Sequence, residues 1–180
     1  MERLIGLKST EYEHPADKAA LEKLRNSTVF KTLMTEFIHQ GVERIYRIQY
    51  TGSSLKIKKQ DYPEIYKALE NAGAALGMKE LPALYLQYYY AINAFTTGKK
   101  EPLVVVYSGT IDLLKEDELK YIIGHELGHI LSDHVLYHMM VQGLVDFINL
   151  PAKDLIELPL YYWSRMSELT ADRAGLLACQ

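Results

Sequence analysis

Apolar residues recur at helical spacing through much of the first half of the chain. Residues 15–26 open with Pro15, a residue typical of the first helical turn, and carry apolar side chains three and four positions apart. The same period continues over 30–38 and is expected to end at Gly41, because glycine is common just past helix C-termini. A further amphipathic stretch covers 62–76. The pattern therefore predicts a helical first part.

Two short apolar runs interrupt this helical pattern. Residues 83–87 and 103–107 lie next to prolines, the second is rich in β-branched side chains, and we interpret both as strands. A polar stretch with glycine at 96–100 lies between them, which favours an antiparallel hairpin or meander. The weaker pattern over 42–57 is compatible with a short helix, a strand or both.

The last part of the chain is again helical in pattern. A long helix is predicted from Glu116 to about residue 140, followed by a loop around 149–151 and a final helix from near Pro159. The apolar, methionine-rich stretch 135–150 is interpreted as a packed helix, with an exposed flap, a partner-binding surface and a membrane-surface helix as alternatives. Together these elements predict an α+β fold, one domain in which helices surround a small antiparallel or mixed sheet.

Composition and charge narrow the function. The chain has 180 residues, 48% hydrophobic and 24% charged, which suits one soluble globular domain. A net charge of -3 offers no basic field, so no nucleic-acid partner is expected. With one cysteine, Cys179, no internal disulfide can form. The sequence shows no signal peptide and no apolar run of about 18 residues, so we expect a cytoplasmic protein without a transmembrane segment.

The HELGH segment at 125–129 carries the candidate chemistry. Residues four apart lie one above the other on a helix, so His125 and His129 can bind one tetrahedral metal ion. Glu126 can reach water at the same metal, take its proton and later return it to a leaving amine. So short a pattern also occurs by chance on solvated helices. Here apolar residues on both sides favour a buried site whose polar groups need partners.

A catalytic metal site requires a third protein ligand, and Glu168 is the best candidate. It lies on the predicted final helix, with Asp172 one turn on, where it can accept a hydrogen bond from a ligand imidazole and fix its tautomer. The alternative is that both acids pair with Arg165 or Arg173 on a wet surface. The His–Glu–His helix favours the ligand role. Two imidazoles and one carboxylate suit zinc best, and we predict one Zn2+ per chain.

These motifs resemble the gluzincin metallopeptidases, and specifically the family that contains the CAAX prenyl proteases and the HtpX-like membrane peptidases. The resemblance also includes Asn93-Ala94-Phe95 before a glycine-containing turn, the strand 103–107, and His134 after the second ligand histidine. It is specific over 81–175 and faint before residue 81.

The resemblance implies a zincin-like single domain and a role for each matching position. Zinc would be bound by His125, His129 and Glu168, with Glu126 as general base and Asp172 supporting a ligand. The implied substrate-binding residues lie near the cleft and on the edge strand to which an extended peptide adds, and are Asn93, Ala94, Val104, Val105 and Val106. A buried core strand is the alternative interpretation of the last three.

The extent of this resemblance divides the chain into two parts. Residues 81–180 would form the catalytic core, and 1–80 a helical segment for which cleft-covering and pro-region roles are left open. The sequence stops inside a predicted helix without a C-cap signal, so we expect the natural chain to continue beyond Gln180.

The predicted function is zinc-dependent hydrolysis of peptide bonds in extended polypeptide. The alternative is a latent or non-cleaving zinc-binding module with the peptidase fold that binds protein partners. Processing of prenylated proteins is not expected, because family members with that role carry transmembrane helices. His134 and His138 are also four residues apart, but on one continuous helix they point away from the metal side, so a structural or solvent-facing role is predicted for both.

Overall fold

The computed structural model describes residues 6–39, 41–146 and 153–180. The described elements are nine helices, α1 (Ser9–Tyr12), α2 (Pro15–Asn26), α3 (Thr28–His39), α4 (Val42–Ser53), α5 (Pro63–Ala75), α6 (Ser108–Leu113), α7 (Glu116–Leu131), α8 (Val135–Asp146) and α9 (Lys153–Ala178), and four strands, β1 (Leu55–Ile57), β2 (Ala83–Gln87), β3 (Ala94–Thr97) and β4 (Leu103–Tyr107). No helix within these ranges is both long and apolar enough to cross a membrane. The mixture of helices with one small sheet agrees with the predicted α+β class.

The four strands form one mixed sheet in the order β1-β2-β4-β3. β1 and β3 run antiparallel to their neighbours, whereas β2 and β4 are parallel, with Ala83 opposite Leu103 and Gln87 opposite Tyr107. The predicted hairpin between 83–87 and 103–107 is therefore wrong. The hairpin partner of β4 is β3, which returns along its outer side and leaves the most apolar strand in the centre of the sheet.

Two hydrophobic clusters hold the helices in place. One joins α2 and α3 to α8 and to Trp163 of α9, through buried residues such as Leu24, Phe37 and Met140. The other packs α5, α7 and the end of α9 against the sheet. The segment 42–57, compatible with a helix or a strand, forms both: a helix and then β1. α7 contributes to the second cluster, α8 to the first, and α9 to both, so α9 connects the two clusters.

Helices α7 and α9 approach each other closely because glycines line their contact. A methyl group on Gly128 would lie 2.6 Å from Cβ of Ala174, and one on Gly175 would lie 2.9 Å from the ring of Tyr121. Side chains larger than hydrogen would hold the two helices apart. This close approach brings the second half of α9 alongside the HELGH segment.

The helix predicted to run from Glu116 to about residue 140 is in fact two helices. α7 ends at Leu131, and Asp133 has a φ of 60°, in the left-handed region that only a few non-glycine residues adopt. The chain turns there, so α8 leaves in a new direction. Among the described side chains of α8, five belong to the buried hydrophobic core, as expected for a packed helix: Val135, Leu136, Tyr137, Met139 and Met140.

The final helix starts earlier than predicted. α9 begins at Lys153 and contains Pro159 in its interior instead of starting near it. Pro159 is the seventh residue of α9 and lies beyond the first turn that proline prefers, so it does not mark the start of the helix. The loop predicted around 149–151 lies outside the described residues.

Candidate metal centre

The structure brings the three predicted ligands together, two from α7 and one from α9. Nε2 of His125 lies 3.2 Å from Nε2 of His129 and 3.2 Å from Oε2 of Glu168. Oε1 of Glu168 lies 3.6 Å from Nε2 of His129. Ligand atoms placed tetrahedrally at 2.0–2.1 Å from zinc are about 3.3 Å from each other. The observed spacing therefore fits one zinc ion bound by these residues.

The protonation of His125 supports this fit. Its Nδ1 lies 3.1 Å from Oδ1 of Asp172, so the carboxylate favours a proton on Nδ1 and leaves the lone pair on Nε2. That lone pair faces the carboxylate of Glu168 at 3.2 Å. Acceptor atoms this close repel each other unless a proton or a metal cation lies between them. The predicted partner of the ligand imidazole, Asp172, thus lies where that role requires it.

The charges around the site also favour a cation. Burial alone would lower the pKa of His125, but the hydrogen bond to Glu168 and the charges of Glu126, Glu168 and Asp172 outweigh it and raise that pKa. Burial would raise the pKa of Glu168, yet its hydrogen bonds with His125 and His129 hold it well below the usual range for a glutamate. A site that stabilises a proton in this way also attracts a metal cation.

Tyr121 is a site residue that the sequence interpretation did not assign. Its hydroxyl donates a 2.8 Å hydrogen bond to Oδ1 of Asp172, the same oxygen that faces His125. Burial, followed by this hydrogen bond to the carboxylate, raises the pKa of Tyr121 to about 12, so the hydroxyl stays protonated and can donate. In the sequence, a tyrosine among apolar residues on a helix reads as part of the core. Only the fold shows that its hydroxyl reaches the acid.

Glu126 lies at the cleft and is held by the sheet. Its side chain is buried, with 6% of the residue exposed, and Oε2 accepts a 2.8 Å hydrogen bond from Oγ1 of Thr96 on β3. Thr96 was not predicted, because nothing in the sequence connects it with a helix thirty residues later. The contact holds the carboxylate in the cleft that His125, His129 and Glu168 also line.

The cleft over the ligands has a volume of about 400 Å³ and is bordered by β3. Asn93 and Ala94, both predicted to be near substrate, line it together with the next two residues of the strand. The expectation that β4 offers an open edge is wrong: Val104, Val105 and Val106 are fully buried, and β4 has a neighbour on each side. β3 is one of the two edge strands of the described sheet, with β1 at the opposite edge, and it is the one that borders the cleft.

His134 and His138 are not on the far side of the metal helix, so that prediction is wrong. The turn at Asp133 separates α7 from α8 and directs both rings towards the site. The ring of His138 is 4.7 Å from that of His129, and its Nε2 is 3.8 Å from Oε1 of Glu168. Burial, and then the neighbouring charge of His129, lower the pKa of His138 to about 3, so it is neutral at ordinary pH. His134 is fully buried.

Comparison with known proteins places this geometry in context. A model of peptidase family M48 matches residues 59–156, which contain the HELGH segment and end before Glu168. The plastoglobule-localized metallopeptidase 48, chloroplastic, of Arabidopsis thaliana is 31% identical over 183 residues, which cover 97% of this chain and 53% of that protein. A protease HtpX homolog of Tropheryma whipplei (strain Twist) is 32% identical over 97 residues, covering 53% of this chain and 33% of the relative.

A second HtpX homolog, from Dictyoglomus thermophilum, is 30% identical over 122 residues, covering 67% of this chain and 40% of that protein. The chain therefore spans about half the length of the Arabidopsis relative and a smaller share of both HtpX homologs.

Proposed function

Since this chain belongs to peptidase family M48, we propose that it is a zinc-dependent endopeptidase that hydrolyses peptide bonds in extended polypeptide. One observation supports this most strongly: ligand atoms of His125, His129 and Glu168 converge at tetrahedral spacing beside Glu126, at the bottom of an open cleft. A purely structural metal site has no need of a carboxylate in that position.

Each residue of the site has a defined task in this proposal. Zinc, when bound, supplies a Lewis acid that polarises a carbonyl and lowers the pKa of water. Glu126 takes the proton of the attacking water and returns it to the leaving amine. Thr96 holds that carboxylate in place, and Asp172 keeps the proton of His125 on Nδ1 so that Nε2 remains a ligand.

We assign peptide binding to β3, in place of the β4 residues expected from the sequence. An extended substrate would pair with the border strand and lie along Asn93 and Ala94. Backbone pairing of this kind accepts many sequences, which suits a peptidase that acts on unfolded chains. The cytoplasmic location, the division at residue 80 and the cleft-covering or pro-region role of 1–80 remain predictions.

A zinc-binding module that does not cleave is the second candidate. Nε2 of His138 lies 3.8 Å from Oε1 of Glu168 and 2.9 Å from Oγ of Ser167, so rotation of this ring away from Ser167 would bring it towards the metal as a fourth protein ligand. Zinc with four protein ligands is structural and leaves no position for water or substrate. In that case the cleft would bind partners without hydrolysis.

The test compares the wild type with Glu126→Gln. Bound metal is measured by elemental analysis, and hydrolysis of unfolded casein is followed on the same samples. We expect one zinc per chain in both proteins and cleavage by the wild type alone. One zinc in both without cleavage in either would favour the second candidate, and a gain of cleavage in His138→Phe would identify that ring as the cause. No stoichiometric metal after zinc-replete purification would overturn the proposal.

A further inference from the structure

The turn after α7 places His134 directly behind the ligand His129. The backbone N–H of His134 donates to the carbonyl oxygen of His129 at 2.9 Å, and the two Nδ1 atoms are 3.1 Å apart. Two ring nitrogens at this distance form a hydrogen bond only if one carries a proton and the other a lone pair. The tautomer of the ligand is therefore coupled to that of its neighbour.

Asp17, on helix α2, determines which ring carries the shared proton. Both Asp17 and His134 are fully buried, and Oδ2 of the acid lies 3.0 Å from Nε2 of the ring. A lone pair on Nε2 would be repelled by this carboxylate, so the proton is on Nε2. A neutral His134 then has its lone pair on Nδ1, and His129 donates its Nδ1–H to it.

This arrangement leaves the lone pair of His129 on Nε2. That nitrogen faces His125 at 3.2 Å and Glu168 at 3.6 Å, inside the candidate metal site. The opposite tautomer would put a hydrogen atom on Nε2 and remove it as a ligand. Each ligand histidine thus has a partner behind it: Asp172 for the first, and His134 with Asp17 for the second.

The carboxylate of Asp17 is itself held by α9. Nε1 of Trp163 donates to Oδ1 at 3.0 Å, and Oγ1 of Thr170 donates to Oδ2 at 2.6 Å. Two strong donors fix its orientation and compensate for burying a charge. The same helix that supplies the ligand Glu168 therefore also holds the acid that acts on His129.

We propose that Asp17 and His134 are positioning residues that fix the tautomer of His129 for metal binding, so that the N-terminal helix α2 is part of the metal site. This inference rests on the proposed function, because it assigns His129 as a zinc ligand. It gives the first eighty residues a role in the chemistry that does not depend on their covering the cleft.

The test measures zinc affinity and ring tautomer separately. Affinity is obtained by competition with a chromophoric chelator, and the tautomer by nitrogen NMR of labelled histidines in the metal-free full chain. Asp17→Asn keeps the volume but removes the charge that holds the proton on His134 Nε2. We expect zinc affinity to fall by about 10–100-fold and the proton of His129 to shift from Nδ1 towards Nε2.

Conservative and disruptive changes of His134 give a second measurement. In His134→Asn the amide oxygen takes the place of Nδ1 and can still accept from His129, whereas His134→Phe has no acceptor. We expect the first to retain more zinc affinity than the second by about tenfold. If Asp17→Asn does not fold, this pair provides the test, and equal affinities would overturn the proposal.

Leu21→Ala is the matched control for packing. Leu21 is buried on the same helix, one turn beyond Asp17, and its loss weakens α2 without removing a polar group. In the folded protein it should leave both affinity and tautomer unchanged. Wild-type affinity and tautomer in folded Asp17→Asn would overturn the inference. Failure of the proposed function would give a different result. The wild type itself would then bind no stoichiometric zinc or cleave no substrate. The NMR measurement on the metal-free chain would still report the tautomer of His129.

Discussion

Thr96 donates a 2.8 Å hydrogen bond to Oε2 of Glu126, which ties the strand at the border of the cleft to the proposed catalytic base. β3 also lines the cleft and is the proposed substrate-binding strand. We therefore expect the position of β3 to affect the orientation of the Glu126 carboxylate.

Thr96→Val should lower kcat about tenfold and leave KM and zinc content unchanged. A hydrogen bond to a charged group contributes about 1.5–3 kcal/mol, and its loss lets the carboxylate leave its productive orientation. Steady-state hydrolysis of a peptide substrate, with elemental analysis of the same sample, measures both effects. Thr96→Ser keeps the hydroxyl and should keep most of the activity. A kcat of Thr96→Val equal to the wild type would show that the contact does not orient the base.

Gly128→Ala should destabilise the fold by about 1–3 kcal/mol, since the added methyl group overpacks the interface of α7 with α9. It would lie 2.6 Å from Cβ of Ala174 and 3.2 Å from Cα of Ala171. Gly52→Ala is the matched control, because no described atom lies within 4 Å of its added methyl group. Helix propensity predicts that this control is as stable as the wild type or more so, by up to about 1 kcal/mol. Urea unfolding compares the two, and equal stabilities would contradict the close-contact explanation.

The buried Asp17 should make the fold sensitive to acid. Burial would raise its pKa, but the close contact with His134 and the hydrogen bonds from Thr170 and Trp163 outweigh this and lower it. An acid with a lowered folded-state pKa stabilises the fold above its unfolded pKa of about 4, and this contribution is lost as the pH falls below that value. The free energy of unfolding should therefore decline more steeply below about pH 4 in the wild type than in Asp17→Asn. Parallel pH profiles would contradict this assignment.

Asp172→Ala should weaken zinc binding by about 10–100-fold, since Nδ1 of His125 loses its acceptor. Tyr121→Phe should have a smaller effect in the same direction, because the phenol acts on zinc only through the acid. Chelator competition measures both affinities. Asp112→Ala removes the same charge from an exposed position and should bind zinc like the wild type. Equal affinities of the two aspartate variants would exclude a specific role for Asp172.

Zinc should stabilise the folded chain by mass action. At a free zinc concentration of 100 times the Kd, the unfolding free energy should rise by about 2.7 kcal/mol, and removal of zinc by a chelator should reverse this gain. Thermal unfolding in buffered zinc measures the change. In Glu168→Gln the gain at the same zinc concentration should be much smaller, since one ligand charge is missing. An equal gain would show that zinc stabilises the fold from another site.

The parts of the site that could be predicted are those with local spacing. His125, Glu126 and His129 share one helical turn, and Glu168 with Asp172 repeats that spacing on a second helix. The pattern therefore predicts both groups, although only the fold shows that they meet. Their close approach depends on the small residues between α7 and α9.

The errors arose where tertiary contacts outweigh local pattern. The polar residues 132–134 also fit the exposed face of one continuous helix, so they do not identify the turn that brings His138 to the site. The apolar pattern of β2 and β4 predicts that both are strands but does not show whether they pair in parallel or antiparallel. In the fold they are parallel, and the whole sheet buries β4 at its centre.

Asp17 illustrates the same limit at a single residue. An acid in the first turn of a helix normally interacts with the helix dipole in solvent, and its sequence context suggests nothing else. Its burial comes from contacts with Trp163 and Thr170, 146 and 153 residues later in the chain. No short-range pattern contains that information.

Trp163, the single tryptophan of the chain, lies close enough to the proposed metal site to report on it optically. Its indole is fully buried, donates to Asp17, and lies 5.6 Å from the ring of His134 and 5.1 Å from that of His138. Indole emission depends on the polarity and protonation of its immediate neighbours. The intrinsic fluorescence of the unlabelled protein will therefore follow the state of these histidines, and stopped-flow mixing can time the arrival of zinc in the wild type without any added dye.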